Sequence, residues 1–192
     1  MAIPIPRRPS GYASGKADAP IQIEAFIDLQ CPYSKKAWPT LLAVAAQYGQ
    51  ERVRLTIQPI VLAEHHQSWD VTKAAVAVAA GHASRFLDFT EYLYAHQEEY
   101  TNAQFRDRTQ RDLYALLARF ASAYARESDA EAFFERLESE EVEQAAKIPL
   151  RLAATRGVWS TPTFFINGAE VPQLSSSSTL ADWQAVLEPL FQ

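Results

Sequence analysis

Cysteine is nearly absent from this chain: Cys31 is the single one in 192 residues. No internal disulfide can therefore staple the fold, and no pair of thiols can work within one chain. A reducing compartment is the simplest home for such a sequence, so the expected localisation is cytoplasmic. Long apolar runs are missing as well. The longest apolar window, Ala74 to Ala80, is rich in alanine and far short of the roughly 18 residues that span a bilayer. Met1 to Ser10 carries three prolines and no apolar stretch of the secretory type. Positive charge is not in excess either: the net charge is −5, and Lys and Arg are scattered with no basic face. That argues against a binder of phosphate backbones, so neither nucleic acid nor membrane is an expected partner. Metal-ligand spacing is lacking too, because His82 and His96 have no partner at a chelating distance in sequence. What remains is ordinary globular composition, 48% hydrophobic and 21% charged. The length suits one domain, with or without an insertion.

Residues 1–20 are rich in Pro, Gly and Ser and read as an extended arm. Ile21 to Ile27 has the apolar, β-branched character of a strand covered on both faces. Pro32 to about Tyr48 reads as a helix, with Trp38, Leu41, Leu42 and Ala45 at helical spacing, a stop at Gly49 and a kink expected at Pro39. Arg52 to Ile60 alternates as a second strand that Pro59 closes. From about Ala63 to Thr155 there is one Gly and one Pro and no strand-like alternation, which predicts four or five helices. Thr163 to Ile166 is again a strand, and Asn167-Gly168 is a strong hairpin signal with the return strand at Glu170-Val171. A last helix follows Ser178 or Thr179 and carries Leu180, Trp183, Val186, Leu187 and Leu190.

The chemistry concentrates in Leu29 to Lys36, at the junction of the first strand and first helix. Cys31 sits where that helix begins, and Pro32 occupies the first helical position, where its missing N–H costs nothing. A thiol there faces unpaired amides and the positive end of the helix dipole, which favour the nucleophilic thiolate. The bland alternative is a buried, inert small hydrophobe. His65 and His66 follow the second strand, where either can act as a proton donor beside Cys31 or simply cap the next helix. Asp28, Lys35 and Lys36 read most simply as solvated charges. Trp38 and the aromatic residues of the helical segment read as core.

The element order, with Cys31-Pro32-Tyr33-Ser34 after the first strand and Ser160-Thr161-Pro162-Thr163 before the hairpin, resembles the DsbA-like branch of the thioredoxin superfamily. The stretch from Ala19 to Pro39 is the most similar. The resemblance implies an α/β thioredoxin fold with an inserted all-helical domain: 21–62 and 156–192 thioredoxin-like, 63–155 the insertion and 1–20 the arm. It also implies a cis Thr161–Pro162 bond opposite Cys31, with Pro32, Tyr33, Trp159, Thr161 and Pro162 lining a site for an extended peptide or glutathione.

Two departures matter. Ser34 replaces the usual second cysteine, so a mixed disulfide must be resolved from outside, by glutathione or a partner thiol. Ala25 stands where many thioredoxin-fold enzymes carry a buried acid. Monothiol glutaredoxins offer the precedent for Cys-Pro-Tyr-Ser, and Ser34 could donate its hydroxyl to a Cys31 thiolate. The expected function is monothiol thiol–disulfide exchange, acting on protein disulfides or glutathionylated substrates, with glutathione as co-substrate and no covalently bound cofactor. Two alternatives stay open. One is a kappa-like glutathione transferase or isomerase, whose relatives carry Ser-Pro-Tyr-Ser. The other is a thioredoxin-fold binding module without catalysis.

Overall fold

A computed structural model describes residues 9–125 and 129–192. The β-branched run Ile21–Ile27 forms strand β2 at the centre of a five-stranded sheet. Val53–Pro59 forms β3, parallel to β2, and helix α1 (Pro32–Tyr48) crosses between them. Parallel neighbours need such a crossover. Strand β4 (Thr163–Ile166) pairs antiparallel with the other edge of β2, and β5 (Ala169–Glu170) completes the hairpin. Asn167 and Gly168 take positive φ of 49° and 84°, the pattern of a type I′ turn whose twist matches the flanking strands. Helix α1 runs on through Pro39 and ends at Gly49.

The arm is corrected in part. Tyr12–Ser14 forms an antiparallel edge strand, β1, against β3, giving the order β1-β3-β2-β4-β5. Three residues carry no readable period, which is why the strand was invisible in the sequence. Its tertiary anchors are the Tyr12 ring, stacked on Phe86 at 3.7 Å, and a close approach to β3 at Gly11 and Gly15. Residues 1–8 of the arm lie outside the described residues.

Among the described residues, five α-helices lie between β3 and β4: α2 (Ser68–Ala79), α3 (Ala83–Ala95), α4 (Gln110–Ala125), α5 (Ala130–Leu137) and α6 (Glu140–Thr155). Asp129 caps α5 through the Ala132 N–H, and Ser139 caps α6 through the Val142 N–H, so the break between them is a true helix start. The chain closes with α7 (Leu180–Leu187), begun by a reciprocal cap in which Thr179 and Asp182 satisfy each other's backbone N–H.

On one face of β2, Ile21, Ile23, Ala25 and Ile27 join Trp38, Leu41 and Val44 of α1 in a core that continues without a break into Val71, Phe86, Phe89, Leu117 and Phe133 of the helices. Each such side chain contributes about 1.5–3 kcal/mol by leaving water. The other face is thinner. Phe26 packs with Ile60, Ala153 and Phe165 under the end of α6, while Gln22 and Glu24 stay half-buried and polar. The sheet is therefore dry on both faces only at its C-terminal end, where β2 delivers the chain to Cys31.

Candidate active site

Cys31 is the N-cap of α1, with extended backbone (φ −73°, ψ 121°) and Pro32 next in the helix. Its N–H closes a turn on the Asp28 carbonyl at 3.1 Å. The sulfur forms no side-chain cap; it donates instead to the carbonyl of Thr161 at 3.4 Å. The Thr161–Pro162 bond is cis, and Thr161 is buried, its Oγ1 without a hydrogen-bond partner. Cys31 is only 2% exposed, whereas Tyr33 on one flank is 63% and Trp159 on the other 87% exposed. The thiol is thus buried, while Pro32 and Tyr33 after it and Trp159 and Ser160 before Thr161 are exposed.

Beneath Cys31 lies Asp28, 0% exposed. Its carboxylate accepts four hydrogen bonds. Oδ1 takes the Gln30 N–H and the Ser68 hydroxyl, both at 2.7 Å. Oδ2 takes the Leu62 N–H at 2.8 Å and His65 Nδ1 at 2.9 Å. A buried carboxylate survives only when its acceptor positions are filled or its charge is paired; here the acceptor positions are filled, and His65 pairs the charge when protonated. The hydrogen bond to Asp28 raises the pKa of His65 above its ordinary value, against a smaller opposing effect of burial.

The helical segment also grips the backbone of this turn. Gln97 Nε2 donates to the carbonyls of Leu29 at 3.1 Å and Cys31 at 3.2 Å. The Tyr100 hydroxyl lies 3.1 Å from the Leu29 carbonyl, and the Tyr94 hydroxyl donates to the Asp28 carbonyl at 3.3 Å. Burial pushes both phenols far above their usual range, so they remain protonated donors. Gln30 reaches Gln67 at 2.9 Å and Asn102 at 2.8 Å, and Asn102 Nδ2 holds the Glu64 carbonyl at 2.7 Å.

A family model described as thioredoxin matches residues 8–189. The chain belongs to the thioredoxin family. Similar solved structures carry the same fold. One is a candidate protein-disulfide isomerase from Pseudomonas syringae, 26% identical, with a TM-score of 0.76 over 92% of this chain and 97% of that one. BdbD from Bacillus subtilis is 20% identical, with a TM-score of 0.70 over 94% and 91%. Wolbachia pipientis alpha-DsbA1 is 15% identical, with a TM-score of 0.76 over 98% and 92%. Among curated proteins the chain is similar to the Na(+)/H(+) antiporter NhaA 3 of Salinispora tropica, 26% identical over 157 residues, 82% of this chain and 22% of that protein. NhaA 1 of a Mycobacterium species gives 26% over 159 residues, 82% and 23%. The chain spans less than a quarter of the length of these curated relatives. Among the described residues no helix is long and apolar enough to cross a membrane.

In this thioredoxin-family site the predicted residues divide. Cys31, Pro32, Tyr33, Thr161, Pro162 and Trp159 belong to the two segments that meet at the Cys31–Thr161 contact. Ser34 is corrected: its hydroxyl accepts the Asp28 N–H at 3.2 Å and makes no hydrogen bond to the sulfur. Asp28 is corrected more strongly, from a solvated charge to a fully buried carboxylate. The histidine pair does not cap α2, whose N-cap is Gln67. His65 turns inward to Asp28, while His66 is exposed and contributes its backbone N–H to Asn102. Lys36 points away to Ser177 at 2.8 Å. Ala25 is fully buried where an acid was noted as absent. The sequence reading missed Gln30, Tyr94, Gln97, Tyr100 and Asn102. The sole local signal was a polar pair, Asp28 and Gln30, set between an apolar strand and the lone cysteine.

Proposed function

We propose that the chain carries out monothiol thiol–disulfide exchange through Cys31. The observation that carries this reading is the lone sulfur at the N-cap of α1, 3.4 Å from the carbonyl that precedes the cis proline. A Cys31 thiolate attacks one sulfur of a substrate disulfide. A mixed disulfide forms and the other sulfur leaves as thiolate. With no second cysteine in the chain, glutathione or a partner thiolate then attacks the substrate-side sulfur of that mixed disulfide, forms a new disulfide with it and releases Cys31 as thiolate, so that one S–S bond is made for each one broken. Protein disulfides and glutathionylated proteins are the substrate classes. The Pseudomonas syringae neighbour, whose description is that of a protein-disulfide isomerase, supports the same chemistry. Attack requires the Cys31 sulfur to leave the Thr161 carbonyl and become exposed.

A second reading is favoured by one observation. A thiol 2% exposed, with Ala25 in the acid's place, suits a binding module that kept the cleft and lost the cycle. Alkylation of Cys31 in native and denatured protein, followed by mass spectrometry across pH 5–9, separates the two. Labelling of Cys31 in the native protein, together with reduction of a glutathionylated peptide that Cys31→Ser abolishes, is the expected result. Labelling only after denaturation would leave the binding module.

A further inference from the structure

Asp28 is the residue where sheet, helical segment and thiol meet. Its backbone works on the turn from both sides, giving its N–H to Ser34 and its carbonyl to the Cys31 N–H. Its carboxylate is locked by donors from Gln30, Leu62, His65 and Ser68. Among the described residues His65 is its one ion-pair partner, and that side chain is 16% exposed, enough to exchange its proton with water.

We infer that Asp28 is the positioning residue of Cys31, and that the proton on His65 governs the reactivity of the thiol through it. The inference rests on the thiol–disulfide reading above. With His65 protonated, the buried pair is neutral as a whole. When the proton leaves, the Asp28 charge stands alone beside the turn that carries the sulfur. A second negative charge forming there is disfavoured, and the dry surroundings screen it little. Asp28 stands three residues before Cys31 in the same tight turn, its carbonyl accepting the Cys31 N–H at 3.1 Å, which keeps its carboxylate close to the sulfur.

The groups facing the pair come from every element around it. Tyr94 of α3 and Tyr100 of the following turn are phenols held protonated by burial. Glu64, on His65's own segment, adds negative charge that favours the protonated imidazole. The imidazole is the one that changes charge close to neutrality.

The test is the rate of Cys31 alkylation by iodoacetamide against pH, in the full chain and in His65→Gln. Glutamine can keep a hydrogen bond to Asp28 and removes the charge. The wild-type profile should show two inflections, which belong to the coupled His65–Cys31 pair. His65→Gln should show one, with labelling below that inflection slowed about three- to tenfold. A rate that drops uniformly while both inflections remain would mark a purely structural residue and overturn the inference. The second measurement does not depend on labelling. The chain has four histidines, so the His65 imidazole can be followed by NMR. Coupling is reciprocal, so its titration should move to lower pH in Cys31→Ser; an unchanged titration overturns the inference. Cys31 that reacts normally with an unchanged profile in His65→Gln sinks only the role of His65 and Asp28. Cys31 that never reacts in the native protein sinks the thiol reading and this inference together.

Discussion

Asp28 concentrates much of what the site owes to single side chains. Replacing it by Ala strands donors from Leu62, Ser68, Gln30 and His65 in a dry interior. The expected loss is about 3 kcal/mol in chemical denaturation; a loss within experimental error would show that water refills the space. His65 adds a pH dependence with a definite sign. Its folded pKa is raised, first by the hydrogen bond to Asp28. The stabilisation is therefore complete below the unfolded value of about 6.5 and fades as pH rises through the higher folded value. The stability gap between wild type and His65→Gln should be widest on the acid side of neutrality and narrow in alkali. Denaturant midpoints at several pH values would read it, and a gap that widens in alkali would reverse the assignment. None of this was legible from local pattern. Cys31, Pro32 and Pro162 announce themselves by rarity and position, but an aspartate after a strand looks the same whether solvated or buried. Three of its four carboxylate partners stand 34 to 40 residues away, beyond any window over which periodicity is read.

The elements repeat that division. Helix α1, strands β2, β3 and β4 and the Asn167-Gly168 turn were legible because each satisfies a period or a turn rule by itself. Strand β1 was not, because it depends on what lies against it. Gly15 has φ of 105°, and a Cβ there would stand 2.4 Å from the Val53 carbonyl oxygen, so β1 can lie on β3 only without a side chain at that point. Gly168 also has positive φ, 84°, yet a Cβ there meets nothing within 4 Å. The two glycines should therefore respond differently to the same substitution. Gly168→Ala should cost about 1 kcal/mol, the conformational penalty alone. Gly15→Ala adds a backbone clash to that penalty and should also release the Tyr12 ring from Phe86. Comparing the two by thermal denaturation, with hydrogen exchange across β1, checks the argument; equal losses with β1 protection intact would refute it.

In the whole molecule, the helical segment and the sheet share one buried core. They also share the site, since the turn carrying Cys31 is held from α2, α3 and the turn after α3 by Ser68, Tyr94, Gln97 and Tyr100. Sheet residues Ile23, Ile27 and Leu55 belong to the same apolar cluster as Phe89, Leu117 and Phe133, so opening either side exposes the other. The chain should therefore unfold in one step. Helical signal by far-ultraviolet circular dichroism and release of the Cys31 thiol to a chromogenic reagent should follow coincident denaturant curves. Thiol exposure well before helix loss would mean that the turn opens alone, and the hydrogen bonds from the helices would then be contacts of little energetic weight. Coincidence would mean that the thiol is held by the whole fold. Any motion that brings Cys31 to a substrate would then have to be confined to its own side chain and the loop around Thr161.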